Sequence, residues 1–328
     1  MKAVVFTAYG PPEVLRLAEV DKPVPRNREV LVRIRATTVS SEDPKMRAFK
    51  HPPLLWLPIG LLFGFRRPRK TILGMEFAGE VEAVGRDVTR YRAGDPVFGY
   101  TGTGLGAHAE YRCLPEDAIM AARPGNMSDE QAACIPNGAL TALVYLRNMA
   151  RLRPQEDVLV HGASGAVGTA AVQLAKALGA RVTGVCSGRN MALVESLGAD
   201  EVIDYTKQDF TRSGRTYDIV FDTIGKTSMA QVEGSLRPGG RYLVTVFGVR
   251  ELLQMLWTSW RGGKRILGGA SNFHWTRDDL AYLRDLVELG KLTAVIDRSY
   301  PLADAAEAHR YVENGHKRGN VVLTMPDG

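Results

Sequence analysis

The feature that most constrains the fold of this 328-residue chain is a glycine-rich segment, VLVHGASGAVGTAAVQLAKALGA, which begins at residue 158. Its apolar residues 158–160 predict a buried strand that runs into Gly162, Gly165 and Gly168 and then opens a helix. Glycines at such a turn let the backbone approach a pyrophosphate, and the helix N-terminus supplies free N–H donors. Although Ala163 replaces the first glycine of G-x-G-x-x-G, the succession of strand, turn and helix favours a dinucleotide site over a structural turn.

The parts of the chain before and after about residue 128 have different patterns of predicted secondary structure. From about residue 128, strands alternate with helices, which predicts a parallel sheet with helices on both faces. Residues 1–125 instead contain short β-type runs separated by Gly, Pro and Asp. After residue 271 come an amphipathic helix, RDDLAYLRDLVELGKL, and an alternating run, KRGNVVLTM. We therefore expect an α/β protein in which 1–125 and 271–328 form one domain and 126–270 the other.

The net charge and the spacing of the cysteines argue against several classes of protein. The net charge is +6, from 42 Lys and Arg against 36 Asp and Glu. The densest basic cluster, Arg66, Arg67, Arg69 and Lys70, favours a solvated loop or a small phosphate-contacting patch over a nucleic-acid interface. The three cysteines form no Cys-x-x-Cys pair, which argues against a disulfide framework and a cysteine-rich zinc lobe. A reducing compartment, the cytoplasm, fits best.

No segment predicts a secretory leader or a membrane span. The first ten residues, MKAVVFTAYG, alternate like a strand. The apolar run 52–65 is shorter than the roughly 20 residues that a spanning helix needs. We expect it to cover a cleft or pack in the core, with contact to a membrane surface as the alternative. Trp56 and Phe63 of this run, residues 251–265 and Phe273 could line an apolar substrate pocket; core packing or a subunit interface is the alternative.

The strand after the glycine loop indicates which dinucleotide binds. In an NAD site an acidic residue usually ends this strand and bonds the ribose 2′-hydroxyl. Here the strand ends VCSGRN, with Ser187 and Arg189 and no acid. A guanidinium can pair with a 2′-phosphate through two parallel hydrogen bonds. The sequence therefore favours NADPH over NADH.

The order of the glycine loop, VCSGRN, GADEVIDY and FDTIG, behind a strand-rich start, resembles the medium-chain dehydrogenase/reductase superfamily. Within it, the chain looks most like the zinc-free quinone oxidoreductase-like branch, and the resemblance covers essentially the whole chain. It implies a GroES-like, β-rich catalytic domain, a Rossmann domain with a doubly wound parallel sheet, and a cleft between them. Members of this branch commonly dimerise through the Rossmann domain, so a homodimer is implied as well.

The resemblance also implies which residues contact the cofactor. Thr141 would lie near the nicotinamide end, and 164–167 would form the phosphate loop. The remaining implied contacts are Ser187 and Arg189 to the 2′-phosphate, Tyr205 beside the adenosine phosphate, Thr223 and Gly225 at the nicotinamide ribose, and Phe247 and Val249 along the nicotinamide. The loop residues themselves are Ser164, Gly165, Ala166 and Val167. Asn320 stands where the branch often has Lys, so its charge is lost while its hydrogen-bonding capacity remains.

The catalytic zinc ligands of the superfamily's alcohol dehydrogenases are replaced at all three positions. Ser40, Met75 and Asn137 stand there, and these are poor ligands for zinc. No metal is therefore expected, and Glu76, which follows Met75, is expected to pair with a local donor such as an arginine. The histidines are scattered and are expected in loops or in packing, with His161 near the cofactor; they are His51, His108, His161, His274, His309 and His316.

Without a Lewis acid, a conjugated acceptor accepts hydride more readily than a simple carbonyl, because charge spreads over several atoms. The resemblance thus implies an NADPH-dependent reductase of quinones or α,β-unsaturated carbonyls. The alternatives are metal-free ketone or alcohol redox chemistry, and an NADPH-binding regulatory or interaction protein with little turnover. Ser40, Asp43 and Asn137 are candidate catalytic residues. Asp43 could help orient a proton donor or could instead cap its local turn.

Overall fold

The computed structural model describes residues 1–51, 53–246, 248–269 and 275–326. Phe247, Phe273 and His274, which entered the predictions above, lie outside the described residues. The strands, in chain order, are β1 (Lys2–Val5), β2 (Arg16–Glu19), β3 (Glu29–Thr38), β4 (Glu76–Val84), β5 (Pro96–Tyr100), β6 (Tyr111–Pro115), β7 (Ile119–Ala122), β8 (Asp157–His161), β9 (Arg181–Cys186), β10 (Glu201–Asp204), β11 (Tyr217–Asp222), β12 (Leu236–Val244), β13 (Arg265–Gly268), β14 (Ile296–Pro301) and β15 (Asn320–Thr324).

The helices differ widely in length and in how much of their surface is buried. The α-helices, in chain order, are α1 (Glu42–Ala48), α2 (Pro53–Phe63), α3 (Asp129–Ala133), α4 (Pro136–Leu143), α5 (Ala166–Ala177), α6 (Met191–Ser196), α7 (Met229–Val232), α8 (Val249–Arg261), α9 (Arg277–Glu288) and α10 (Ala305–Glu313). A π-helical run, Val144–Met149, continues α4. In the described part of the chain, no helix is both long enough and apolar enough to cross a membrane.

The chain divides into two compact units. Unit 1 comprises Met1–Asn137, Thr276–Leu289 and Ala294–Gly328; unit 2 comprises Gly138–Trp275 and Gly290–Thr293. The division after Asn137 falls later than the expected boundary at 125, because α3 packs on strands β3, β4, β5 and β15 of unit 1. Gly290–Thr293 belongs to unit 2 because the Thr293 N–H and hydroxyl both donate to Gln173 Oε1 on α5, at 2.8 and 3.0 Å.

Unit 2 contains a six-stranded sheet in the order β10-β9-β8-β11-β12-β13, and every neighbouring pair is parallel. The first strand along the chain, β8, is central, and the strand order reverses between β8 and β11. This is the doubly wound arrangement, which binds ligands beyond the carboxyl ends of the strands at the reversal. Its core includes Leu159, Val220 and Tyr242, all fully buried. The predicted Rossmann fold is confirmed.

Unit 1 is built on a mostly antiparallel sheet. Its strands follow the order β14-β15-β3-β4-β5-β7, with β6 also paired to β3. The ten-residue β3 is therefore the centre, and its inward residues Val30, Val32 and Ile34 pack with Phe77 and Val97 at no more than 1% exposure. This β-rich unit agrees with the predicted GroES-like domain.

The two apolar segments of uncertain role both form helices. The run 52–65 contains α2, of which Phe63 is buried in the unit 1 core while Trp56 and Leu57 are exposed. Residues 251–265 lie mainly in α8, which packs against β13, with Met255 against the unit 2 core. Both segments thus combine partial core packing with exposed apolar residues.

Candidate active site

The glycine loop lies at the carboxyl end of β8, beside the reversal in strand order. Gly162 has a φ of +84°, and a Cβ there would lie 2.7 Å from Thr223 Oγ1. At Gly168 a Cβ would lie 2.1 Å from the Gly162 carbonyl oxygen, so only glycine fits this contact between strand end and helix. At Gly165, φ is −81°, and only the Gly162 oxygen, at 3.5 Å, would lie within 4 Å of a Cβ. The space in front of Gly165 is therefore open.

Helix α5 begins directly after Gly165 and places its free N–H groups at this open space. Gly165 is the N-cap and supplies no side-chain acceptor to the first turn. The N–H groups of Ala166, Val167 and Gly168 therefore have no acceptor within the helix. Together with the positive end of the helix dipole, they suit an anionic group such as a pyrophosphate. The residues present fit the phosphates of a dinucleotide.

The turn after β11 lies next to this loop and is organised by Asp222. Its buried carboxylate accepts from the N–H groups of Ile224, Gly225 and Thr227 at 2.9 to 3.0 Å, and His161 Nδ1 lies 3.4 Å away. Burial would raise the pKa of Asp222, but His161 and the hydrogen bonds from Thr227 outweigh this effect and lower it to about 2.

Two predicted contact residues are positioned through this turn. Thr223 Oγ1 donates to the His161 carbonyl at 2.8 Å, which ties the turn to the end of β8. Gly225 has a φ of +68°, and a Cβ there would lie 2.6 Å from Val246 Cβ. The 223–225 turn therefore packs against the segment that leads into α8 at Val249. Sequence analysis missed Asp222 as the organiser of this turn, although an acid followed by T-I-G is a recognisable signal for an Asx-type turn.

The loop after β9 carries the residues expected at the 2′-phosphate. Ser187 is half-buried and Arg189 is exposed. Within the described residues no carboxylate forms an ion pair with Arg189. Asn190, which is buried, donates from Nδ2 to Ser164 Oγ at 3.0 Å, so it joins this loop to the glycine loop. Asn190 is a further site residue that sequence analysis did not assign.

The end of β10 supports the loop after β9. Asp204 accepts from the Thr206 N–H and hydroxyl at 3.0 and 2.7 Å, and these bonds lower its pKa. A Cβ on Gly188 would lie 2.6 Å from Asp204 Oδ2, so the carboxylate lies against the loop backbone. Tyr205 follows, with its side chain 55% exposed and its N–H donated to the Cys186 carbonyl.

Thr141 lies on α4, one turn after Gly138. Gly138 packs against the start of α5, where a Cβ would lie 2.8 Å from the Ala166 carbonyl oxygen. Thr141, 8% exposed, is therefore on a helix that is fixed to the phosphate loop. Asn320, in contrast, lies in unit 1, where its backbone N–H and its amide Nδ2 both donate to the Val295 carbonyl at 2.8 and 3.3 Å.

In unit 1, both carboxylate oxygens of Asp43 accept hydrogen bonds from neighbouring groups. Its Oδ2 accepts from the Ser40 N–H and hydroxyl at 2.8 and 2.7 Å, and its Oδ1 accepts from the Gly74 N–H at 3.1 Å. Asp43 is 1% exposed. These bonds support the interpretation that Asp43 fixes the local turn and joins it to the segment before β4. They also occupy the Ser40 hydroxyl proton.

Glu76 is buried at the start of β4, where it bridges two elements. Its Oε2 accepts from the Thr38 hydroxyl on β3, and its Oε1 accepts from the Asn137 backbone N–H in the first turn of α4 at 2.7 Å. Glu76 is thus buried and paired with donors as expected, and these donors are a hydroxyl and a backbone amide rather than an arginine. Burial raises the pKa of Glu76 to about 7, against the opposing effects of these two donors and of Lys317.

Two of the three positions that hold zinc in related dehydrogenases contain side chains that are poor zinc ligands and that contact neighbouring groups. The Ser40 hydroxyl is bonded to Asp43, and the Met75 thioether lies 3.5 Å from the Tyr100 hydroxyl. Among the described residues, no three His, Cys, Asp or Glu side chains are close enough to hold a metal ion together. His108 and His309 are buried and pack edge to face, 5.7 Å apart, as the predicted packing role requires.

Two family descriptions match the chain. An alcohol dehydrogenase GroES-like domain matches residues 26–124, and a zinc-binding dehydrogenase family matches residues 197–323. The first range lies in unit 1, and the second includes β10 to β13 of the doubly wound sheet. The two matches and the two folds together define a dehydrogenase/reductase built from a GroES-like and a Rossmann domain.

Relatives match over the full length. A quinone oxidoreductase of Pseudomonas aeruginosa is 34% identical over 339 residues, covering 98% of this chain and 99% of the relative. The structure of the quinone oxidoreductase from Coxiella burnetii superposes with a TM-score of 0.86 at 31% identity, covering 99% of each chain. That of the Escherichia coli quinone oxidoreductase complexed with NADPH gives 0.81 at 26%, covering 99% and 100%.

The chain belongs to the medium-chain dehydrogenase/reductase family, in its quinone oxidoreductase branch. Its membership supports an NAD(P)H-dependent oxidoreductase.

Proposed function

We propose that this protein is an NADPH-dependent reductase of quinones or α,β-unsaturated carbonyls that works without a metal ion. The observation that carries the cofactor assignment is the loop after β9, which presents an exposed Arg189 where an NAD site has an acid. The nearest acid along the next strand, Asp204, is bonded to Thr206 and lies against Gly188. Its carboxylate is therefore committed to the protein rather than to a ribose hydroxyl.

The residues that would hold NADPH all come from unit 2, apart from Asn320. The N–H groups at the start of α5 would bind the pyrophosphate, and Ser187 with Arg189 would bind the 2′-phosphate. Tyr205, Thr223, Gly225, Thr141, Phe247 and Val249 would contact the remaining parts of the dinucleotide. When bound, NADPH supplies a hydride that reduces the acceptor, and a proton from water completes the reduction.

The side chains at the positions of the family's zinc ligands support this acceptor class. The Ser40 hydroxyl donates to Asp43 and the Met75 thioether lies against the Tyr100 hydroxyl, so neither suits as a ligand for the zinc ion that would polarise a simple alcohol or ketone. A quinone or an enone spreads the developing negative charge over several atoms. Free cysteines at 113, 134 and 186 accord with a cytoplasmic location. A homodimer is proposed from the family alone.

A panel of acceptors tests this function. We expect NADPH absorbance at its reduced-nicotinamide band to fall in the presence of quinones or enones, and to stay constant with saturated ketones of matched size. Turnover of saturated ketones alone would replace the proposal with ketone redox chemistry. Tight NADPH binding without oxidation by any acceptor would instead indicate a regulatory protein.

Replacing Arg189 by Ala tests the cofactor assignment. Hydrogen bonds to a charged partner contribute about 1.5–3 kcal/mol, so we expect the Kd for NADPH to rise by roughly 10- to 150-fold. The Kd for NADH should stay unchanged, because NADH lacks the 2′-phosphate. Binding is measured by quenching of protein fluorescence. Arg212→Ala, which removes another exposed arginine of unit 2, is the matched control. Equal use of both cofactors by the unmodified protein would refute the assignment.

A further inference from the structure

Helix α2 exposes an apolar surface on the outside of unit 1. Leu57, Leu61 and Leu62 are 59%, 59% and 49% exposed, and Pro58 lies on the same side. Trp56, at the N-terminal end of this side, is 48% exposed. In a folded protein, scattered exposed leucines are ordinary, but a contiguous group on one short helix marks a surface that contacts something else.

The opposite side of α2 is fixed to the protein, so the exposed side is set by the fold. Phe63 is buried in the unit 1 core, and Ile59 packs against the same cluster. The C-terminal carbonyls of the helix are also bonded. The Tyr9 hydroxyl contacts the Phe63 and Gly64 oxygens, and Arg69 Nη1 donates to the Leu61 oxygen at 2.6 Å. Rotating the helix to bury its leucines would break these contacts.

The chain around α2 is exclusively basic. Residues 44–75 contain seven Lys and Arg and no Asp or Glu. Two of the seven are paired with acids outside this range, Lys45 with Glu42 and Arg47 with Glu313. Lys50 before the helix and Arg66 and Arg67 after it are exposed, and no ion pair involves them within the described residues. Cations therefore flank both ends of the apolar surface.

We propose that α2 is an interfacial helix that docks this protein on the surface of a bilayer containing anionic lipids. Its leucines would enter the boundary between headgroups and acyl chains, while Lys50, Arg66 and Arg67 would contact the negative headgroups. A tryptophan at the edge of such a surface suits the same interface. With 11 residues, α2 is too short to cross the bilayer, so the helix lies in the membrane surface.

A second copy of the chain suits this surface less well. In a two-fold symmetric dimer the same patch meets itself, so the cations of one α2 region would face those of the other. Such like charges in contact destabilise an interface. An anionic bilayer provides both an apolar layer and the opposite charge. This proposal concerns docking alone and stands whether or not the proposed reaction is correct.

Vesicle binding of the full chain tests the apolar part. Co-sedimentation is measured with vesicles of phosphatidylcholine and phosphatidylglycerol, and with phosphatidylcholine alone. We expect binding to the mixed vesicles and about tenfold or greater loss of partitioning in Leu57→Glu/Leu61→Glu. The matched control is Leu17→Glu/Leu289→Glu, at two scattered positions of unit 1 that are 43% and 68% exposed. It should bind as the unmodified protein does, and circular dichroism verifies that both variants are folded.

Charge reversal tests the electrostatic part. Arg66→Glu/Arg67→Glu should reduce binding by about tenfold or more, since each basic residue near an anionic surface contributes about 1 kcal/mol. Arg86→Glu/Arg90→Glu, on another exposed segment of unit 1, should have little effect. Equal binding to both kinds of vesicle would overturn the proposal. The proposal would also be overturned if Leu57→Glu/Leu61→Glu bound vesicles as the unmodified protein does but had a smaller particle mass in solution. That result would assign the apolar surface of α2 to contact with a second copy of the chain.

Discussion

Gly165→Asp is expected to weaken NADPH binding by about 100-fold or more without lowering the stability of the folded protein. The two effects separate because Gly165 has an ordinary φ of −81° and open space in front of it. A carboxylate there would stand at the N-terminus of α5, where the pyrophosphate would bind. Two like charges about 4 Å apart repel by roughly 4 kcal/mol at an effective dielectric constant of about 20.

The same substitution should leave the helix intact or stabilise it. Gly165 is the N-cap of α5 and offers no side-chain acceptor, whereas Asp is among the preferred N-cap residues. We therefore expect the midpoint of thermal unfolding to stay constant or rise while the Kd for NADPH, from fluorescence titration, rises steeply. A cofactor effect caused by misfolding would instead raise the Kd and lower the midpoint of thermal unfolding.

Two controls identify the cause. Gly165→Ala adds only a methyl group and should change the Kd much less than Asp does. Gly168→Ala should destabilise unit 2 itself, because its Cβ would lie 2.1 Å from the Gly162 oxygen. If Gly165→Asp bound NADPH as tightly as the unmodified protein, the pyrophosphate would not lie at this helix N-terminus.

Most of unit 2 follows from its sequence because β8, β9 and β11 contain short apolar runs and the helices between β8 and β10 end at a glycine. Gly179 and Gly198, each in the sequence LGA, both have positive φ after α5 and α6, which is the usual conformation of a glycine that ends a helix. The sixth strand, β13, and the helix before it were not predicted. Helix α8 carries exposed Leu253, Leu256 and Trp260, so its apolar pattern indicated packing or a pocket rather than a helix facing outward.

The buried polar contacts of unit 1 could not be predicted in the same way. The partners of Glu76 are 38 and 61 residues away along the chain, and one of them is a backbone N–H, which every residue except proline carries. A sequence shows that a buried carboxylate needs donors, and it does not show which backbone amide supplies one. The glycine loop could be predicted, because its strand, turn and helix are consecutive in the sequence.

Glu76 is expected to make the stability of the protein fall as pH rises from about 4.5 to about 7. Its pKa is raised from 4.5 to about 7, so the folded state holds this proton more tightly than the unfolded chain does. The stabilising contribution of Glu76 is complete when the pH is below the pKa of this residue in the unfolded chain. It is lost as the pH rises through the higher pKa of Glu76 in the folded protein. A shift of this size corresponds to about 3 kcal/mol in the free energy of unfolding.

Glu76→Gln should abolish this part of the pH dependence. The amide keeps an oxygen for the Asn137 N–H and can donate from nitrogen to the Thr38 hydroxyl oxygen, and it does not ionise. In urea unfolding between pH 5 and pH 8, the variant should gain about 2.5 kcal/mol relative to the unmodified protein as pH rises. Glu80→Gln, at an exposed position on the same strand, should run parallel to the unmodified protein. A pH-independent difference for Glu76→Gln would mean that Glu76 stays ionised in the folded state, with Thr38, Asn137 and Lys317 outweighing the cost of its burial.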